Sequence, residues 1–296
     1  MTDRGMARGR GALQGALRQG MMNDRRHSTR IPLVLAAILA LLACTPGISA
    51  AQALPCGIVL MHGKWGLPQS PFLRPVVDKL QPHCRVLLPE MPWSRNRLYD
   101  RPYADAIDQI REAVASLRQS GAQWIAVGGQ SFGANAALAY MAQAGDADAL
   151  LPMAPGHVPE TFYLNPEVRP GVDTARRLVE SGRGSTLVDM TDINQGQRRS
   201  VRAPAAALWS YFDPEGWGNM ALSAQQSRKA VPVFWAIGTL DPLHGSPSMA
   251  LYGSLPQHPE SRHLVVRADH ATTPGAAADE LLKWVLARIQ GQPVQP

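Results

Sequence analysis

Trp124-Ile125-Ala126-Val127-Gly128-Gly129-Gln130-Ser131-Phe132-Gly133-Ala134-Asn135-Ala136-Ala137 is the stretch on which the fold turns. Trp124 to Val127 is a short apolar run with the length and branching of a buried strand, and Ala134 to Gln143 is a helix-forming run of small residues. Between them stands Gly129-Gln130-Ser131-Phe132-Gly133, a G-x-S-x-G pentapeptide. The pentapeptide alone is a common match; its position makes it specific. A sharp strand-to-helix turn holds the serine in a strained backbone conformation, and glycines two residues to either side let strand and helix approach closely. Ala134, Ala136 and Ala137 extend that need for small side chains into the helix. The competing reading is a surface turn that happens to contain serine.

Outward from this turn, short apolar runs alternate with amphipathic stretches, the pattern of a parallel sheet covered by helices. Strands are expected at Gly57 to Met61, Arg85 to Leu88, Ala149 to Met153, Val231 to Ile237 and His263 to Val266. Each is a near-continuous run, as when both faces are buried. Asp100 to Gln119 sets Tyr103, Ala106, Ile107, Ile110, Ala113, Val114 and Leu117 on one helical stripe. Thr273 and Pro274 are suited as N-cap and first residue of a last helix. About Gly156 to Lys229 the rhythm breaks: the stretch is rich in Gly, Pro and Arg, shows no clear strand, and reads as a lid inserted over the sheet edge. One catalytic domain, residues 54 to 290, carries this lid, and residues 291 to 296 form a tail expected to be disordered.

A serine hydroxyl is a poor nucleophile at neutral pH, so Ser131 needs a base, and the base needs an orienting acid. Asp241 follows one expected strand in Gly238-Thr239-Leu240-Asp241-Pro242, and His270 follows the last in Ala268-Asp269-His270. Both therefore leave the carboxyl ends of parallel strands, the edge where open sheets bind ligands. Asp213, in the lid, is the alternative acid, and Asp269 reads as a loop-stabilising residue. His62-Gly63-Lys64-Trp65-Gly66 follows the first expected strand.

The elbow around Ser131, the chain order Ser131, Asp241, His270, and the His62-Gly63 loop together resemble the α/β-hydrolase superfamily over almost the whole chain from Gly57 to Ile289. The resemblance implies an α/β fold of mostly parallel strands with right-handed crossovers and no metal or organic cofactor. It also implies an oxyanion hole made by the Phe132 N–H and by the N–H of Lys64 or Trp65, with His62 structural and the Lys64 side chain solvated. The first strand after the N-terminal segment already carries the His-Gly loop, so the usual first two strands would be absent. In such a fold Cys56 and Cys84 begin neighbouring parallel strands, close enough to bridge, and a disulfide is expected there, two unpaired buried cysteines being the alternative.

Seven arginines stand against two aspartates in residues 1 to 30, so about five of the six net positive charges precede residue 31. The remainder is nearly neutral, and no basic patch interleaved with aromatics points to nucleic acid. The apolar run Ile31 to Ala43 and the small residues ending Ala51-Gln52-Ala53 have the layout of a secretory signal, so residues 1 to 53 are read as an extension and export signal. Leu41-Leu42-Ala43-Cys44 resembles a lipobox, which would make Cys44 a lipid anchor, the one route to a membrane partner; Met21-Met22 is a candidate true start. Three widely spaced cysteines and no close His or Cys pair argue against zinc, and no phosphate-binding G-x-x-x-x-G-K run occurs. The expected activity is exported carboxylic-ester or thioester hydrolysis through an acyl-serine. Acyl transfer or amide cleavage with the same residues, and a non-catalytic binding role, are the alternatives. Trp209, Tyr211, Phe212 and Trp217, with Trp65, are expected to wall a pocket for a small to medium acyl group. Substrate identity and oligomeric state are not legible.

Overall fold

The computed structural model describes residues 54–290. The signal, Cys44, Met21-Met22 and tail expectations lie outside them. Six strands form one sheet: β1 Cys56–Met61, β2 Cys84–Leu87, β3 Trp124–Ser131, β4 Ala149–Pro155, β7 Phe234–Gly238 and β8 Arg262–Val266, in the order β2-β1-β3-β4-β7-β8. Every pairing in it is parallel. Among the described residues the sheet begins with β1, the strand that carries the His-Gly loop, and no antiparallel hairpin precedes it.

The apolar runs explain why the sheet is covered on both faces. Along β1, Val59 and Met61 enter one core while Cys56, Ile58 and Leu60 enter another. The same alternation splits Ile125 and Val127 from Trp124 and Ala126 on β3, and Trp235 and Ile237 from Phe234 and Ala236 on β7. A strand turns successive side chains to opposite faces, so a continuous apolar run builds two cores at once. The first core is covered by α2 (Tyr103–Gln119) and α3 (Phe132–Gln143), the second by α1 (Arg74–Leu80) and α9 (Thr273–Ile289). On α2 the buried residues Tyr103, Ala106, Ile107, Ile110, Val114 and Leu117 recur at helical spacing. Truncating Ile110 to alanine would cost about 2–5 kcal/mol.

Boundaries move in physically intelligible ways. β3 runs on through Ser131 because the glycines after Val127 still pair with β1 and β4. The run from Val231 becomes regular strand only at Phe234: β4 and the β7 segment are paired in register only at Leu150–Val233 and Met153–Ala236, where the inserted lid returns to the sheet. In the last helix Thr272, not Thr273, is the capping residue, and Thr273 and Pro274 are its first two helical positions.

The lid is more regular than its composition suggests. It holds helices α4 Pro159–Leu164, α5 Arg169–Glu180, α6 Ala205–Phe212 and α7 Met220–Gln226, with α8 Ser246–Gly253 following β7. It also contains an antiparallel hairpin, β5 Leu187–Asn194 and β6 Gln197–Pro204, where no strand was expected. The two-residue turn Gln195-Gly196 has φ of 48° and 79°, the doubly positive pattern whose twist suits a hairpin. Val188, Met190, Val201 and Ala203 on its inner face join the same core as α2 and α3, so the lid is packed down rather than hinged above the sheet. Among the described residues no helix is long and apolar enough to cross a membrane.

Candidate active site

Ser131 stands where β3 becomes α3, with φ 59° and ψ −117°. A non-glycine residue with positive φ is strained by about 1–3 kcal/mol, and the surroundings must hold it there. They do so through the glycines: a Cβ on Gly129 or Gly133 would run into the Met61 carbonyl oxygen of β1. That contact brings the helix start against the sheet. Since the first N–H groups of a helix have no intrahelical acceptor, the Phe132 N–H is left beside Ser131, at the positive end of α3.

Asp241 and His270 leave β7 and β8 on the same edge. Asp241 Oδ2 lies 2.7 Å from His270 Nδ1, and Asp241 Oδ1 accepts from the Leu243 N–H at 2.8 Å. The Asp241 side chain is fully buried and the His270 ring is 14% exposed. A carboxylate can only accept, so the imidazole carries its proton on Nδ1 and leaves Nε2 with a lone pair. Ser131 Oγ and this ring converge over Gly156, a residue that sequence reasoning passed over. A Cβ there would stand 2.9 Å from Oγ and 3.4 Å from Nε2. Gln130 Nε2 donates to the His270 carbonyl at 3.2 Å, which ties the elbow to the histidine loop. Asp213 sits in the lid, accepting from the Glu215 N–H, and Asp269 accepts from the Ala271 and Thr272 N–H groups as a loop brace.

The loop after β1 corrects two expectations. The Trp65 N–H donates to the Trp93 carbonyl at 2.9 Å, so it is already engaged and is not the second oxyanion donor. The Lys64 N–H is the candidate that remains. Its peptide carbonyl, Gly63 O, accepts from the Gly66 N–H at 3.0 Å and from His62 Nδ1 at 2.8 Å. In a trans peptide the N–H points the opposite way. Gly63 itself is pressed against the elbow, its virtual Cβ 3.0 Å from Ser131 Cβ. His62 is structural: buried, it accepts the Met91 N–H on Nε2 at 3.1 Å, which fixes the proton on Nδ1, and desolvation lowers its pKa.

The second correction is the Lys64 side chain, expected in solvent and found buried. Its ammonium donates to Asp192 Oδ1 at 2.7 Å and to the Ile193 carbonyl at 3.0 Å, and lies 4.0 Å from the Phe162 ring centre. Burial pushes its pKa down, and Asp192 partly restores it. Asp192, on β5, also accepts from Trp65 Nε1 at 3.0 Å, the Tyr99 hydroxyl at 2.6 Å and the Ile193 N–H at 2.8 Å. Two side chains of the loop after β1 are thereby fastened to the lid hairpin. Nothing in the sequence signals a partner 128 residues away.

The lid aromatics do not wall the site. Tyr211 and Phe212 are wholly buried in a cluster with Trp93, Tyr99, Phe132 and His157, and Trp217 is 39% exposed beside Gln143, away from Ser131. The hollow that reaches Ser131 is instead a solvent-open cleft of about 940 Å³. Its walls are the loop Gly63 to Gly66 with Trp65, the segment Leu67 to Phe72, and the tip of the β5–β6 hairpin. Among the described residues no group of three or more His, Cys, Asp or Glu could hold a metal ion.

No protein-family model matches the chain, and no curated protein matches it in sequence. Solved structures do match. DcsB in complex with its substrate analogue aligns with a TM-score of 0.60 at 13% identity, over 82% of this chain and 92% of that one. Est1E from Butyrivibrio proteoclasticus with bound ferulic acid gives 0.58 at 14%, over 79% and 89%. The monoacylglycerol lipase of Paleococcus ferrophilus gives 0.56 at 15%, over 79% and 93%. The chain has the α/β-hydrolase fold. Identities this low carry the fold alone, and the case for any chemistry rests on the geometry around Ser131.

At the lower edge of the α/β-hydrolase sheet, Cys56 and Cys84 are register partners of β1 and β2, with Cα atoms 4.5 Å apart and their sulfurs joined.

Proposed function

We propose that the chain is an exported serine hydrolase of carboxylic esters or thioesters, acting through an acyl-serine. The observation that supports this reading is the 2.7 Å bond from His270 Nδ1 to Asp241, made by a ring that approaches the same point over Gly156 as Ser131 Oγ. As Ser131 Oγ attacks the carbonyl carbon, its proton passes to His270 Nε2, and buried Asp241 stabilises the imidazolium that forms. The carbonyl oxygen becomes an oxyanion received by the Phe132 and Lys64 N–H groups. Collapse breaks the bond to the leaving group, which takes the proton from His270. Water then repeats the sequence on the acyl-serine and releases the acid. Esterase and lipase names among the structural neighbours support the substrate class. Export is supported by the signal-like layout of residues 1 to 53 and by the paired cysteines, which need an oxidising compartment.

The test is pre-steady-state hydrolysis of p-nitrophenyl acetate. A burst of about one p-nitrophenol per chain, absent from Ser131→Ala, is expected. Hydrolysis that survives Ser131→Ala unchanged contradicts the reading.

A further inference from the structure

The cleft at Ser131 is lined by three arginines, Arg95, Arg198 and Arg199, and by no Asp or Glu. Two of its cations are already neutralised. Lys64 is paired with Asp192, and Arg198 is forked onto Glu167 at 2.7 to 3.0 Å. Arg95 and Arg199 are not: neither has a carboxylate within 4.0 Å among the described residues. Arg199 is the more telling. It lies opposite Asp192 in the hairpin register, and directly opposed residues of an antiparallel pair share a face, so it belongs to the inward side with Val201 and Ala203. Asp192 is consumed by Lys64, Trp65 and Tyr99, which leaves Arg199 half-buried at the cleft end of that face without an anion. Across the cleft, Arg95 rests its Nε on the Trp65 carbonyl at 3.3 Å, beside the loop that carries the Lys64 N–H.

Resting on the hydrolase reading above, we propose that the substrate carries a carboxylate, bound by Arg199 and Arg95 while its ester carbonyl sits at Ser131. Two guanidiniums without counter-charge, opening on one cleft with the nucleophile, favour a planar anion that accepts two parallel hydrogen bonds. A neutral alkyl ester leaves both unpaired, its contacts being with the apolar surfaces of Trp65, Leu67, Pro71 and Phe72.

The test compares p-nitrophenyl hydrogen glutarate with p-nitrophenyl valerate, and 4-carboxyphenyl acetate with phenyl acetate, so that the charge lies in the acyl half of one pair and the alcohol half of the other. The background hydrolysis rate of each ester is divided out. The expected result is a kcat/KM preference of at least about tenfold for the carboxylate in one pair, falling to within about twofold in Arg95→Gln/Arg199→Gln. Equal or faster turnover of the neutral ester in both pairs, or a preference untouched by the double substitution, overturns the proposal. Calorimetric titration of glutarate into the unmodified chain and the double variant tests the site without turnover. Binding that the substitutions weaken at least about tenfold supports it, and no binding to the unmodified chain counts against it. Absent esterase activity with glutarate still bound sinks the hydrolase reading and spares the anion site; activity without charge preference does the reverse.

Discussion

Asp192 on the lid hairpin and Lys64 in the loop beside Ser131 form an ion pair of 2.7 Å from which water is excluded, their side chains 0% and 3% exposed. The pair makes the geometry of the loop after β1 depend on the lid. The partners are unequal: without Lys64, Asp192 keeps three donors, whereas without Asp192, Lys64 keeps only the Ile193 carbonyl.

Asp192→Asn is therefore expected to destabilise the protein by about 3–5 kcal/mol, because it leaves a buried ammonium without its counter-charge. Lys64→Met should cost less, and Lys64→Met/Asp192→Asn less than the sum of the two. Denaturant unfolding of the three variants checks this. Additive costs would show that the pair is not coupled.

Asp241→Asn should lower kcat by roughly 10⁴-fold, the scale seen when a triad acid is neutralised, since the imidazole loses the acceptor that sets its tautomer. Asp213→Asn should stay within about threefold of the unmodified enzyme, its carboxylate being engaged with Glu215 instead. Steady-state kinetics decide, and a reversed order would reassign the acid.

Ser131, Asp241 and His270 could be picked as candidates from sequence because each comes at the end of a short apolar run, although only β3 and β7 are buried on both faces and β8 is half-buried. The hairpin could not. Gln-Arg-Arg-Ser-Val-Arg-Ala-Pro in β6 carries three arginines on positions that face solvent or the cleft, and its turn is Gln-Gly rather than the usual Asn-Gly. Lys64 reads as solvated because lysine usually is, and its burial depends on Asp192, which only the folded chain brings near. The lid aromatics misled for the opposite reason: apolar clustering is the same whether it faces a pocket or a core, and Tyr211 and Phe212 serve the core.

Reducing the Cys56–Cys84 bridge is expected to cost about 3–4 kcal/mol, the loop-closure entropy of its 28-residue separation. Denaturant unfolding with and without dithiothreitol measures it. Two free thiols at residues 56 and 84 in the unreduced, unfolded protein would refute the bridge.

Acid should weaken the fold before the carboxylates titrate. Desolvation lowers the pKa of buried His62, and of His157 well below 6.5, so both stay neutral while their unfolded counterparts protonate. Their contribution to stability is complete above about pH 6.5 and is lost as pH falls from there toward the folded values. Tm should hold between pH 8 and 7 and drop between pH 6.5 and 5. A Tm that rises over that lower interval contradicts the burial of the two rings.

The central claim is that Ser131 is an activated nucleophile, and fluorophosphonate labelling followed by peptide mass mapping tests it most directly. The account predicts one phosphonyl group per chain, on the peptide at Ser131, lost in Ser131→Ala and slowed at least about a hundredfold in His270→Ala. No label, or a label that persists elsewhere in Ser131→Ala at the same rate, would contradict it.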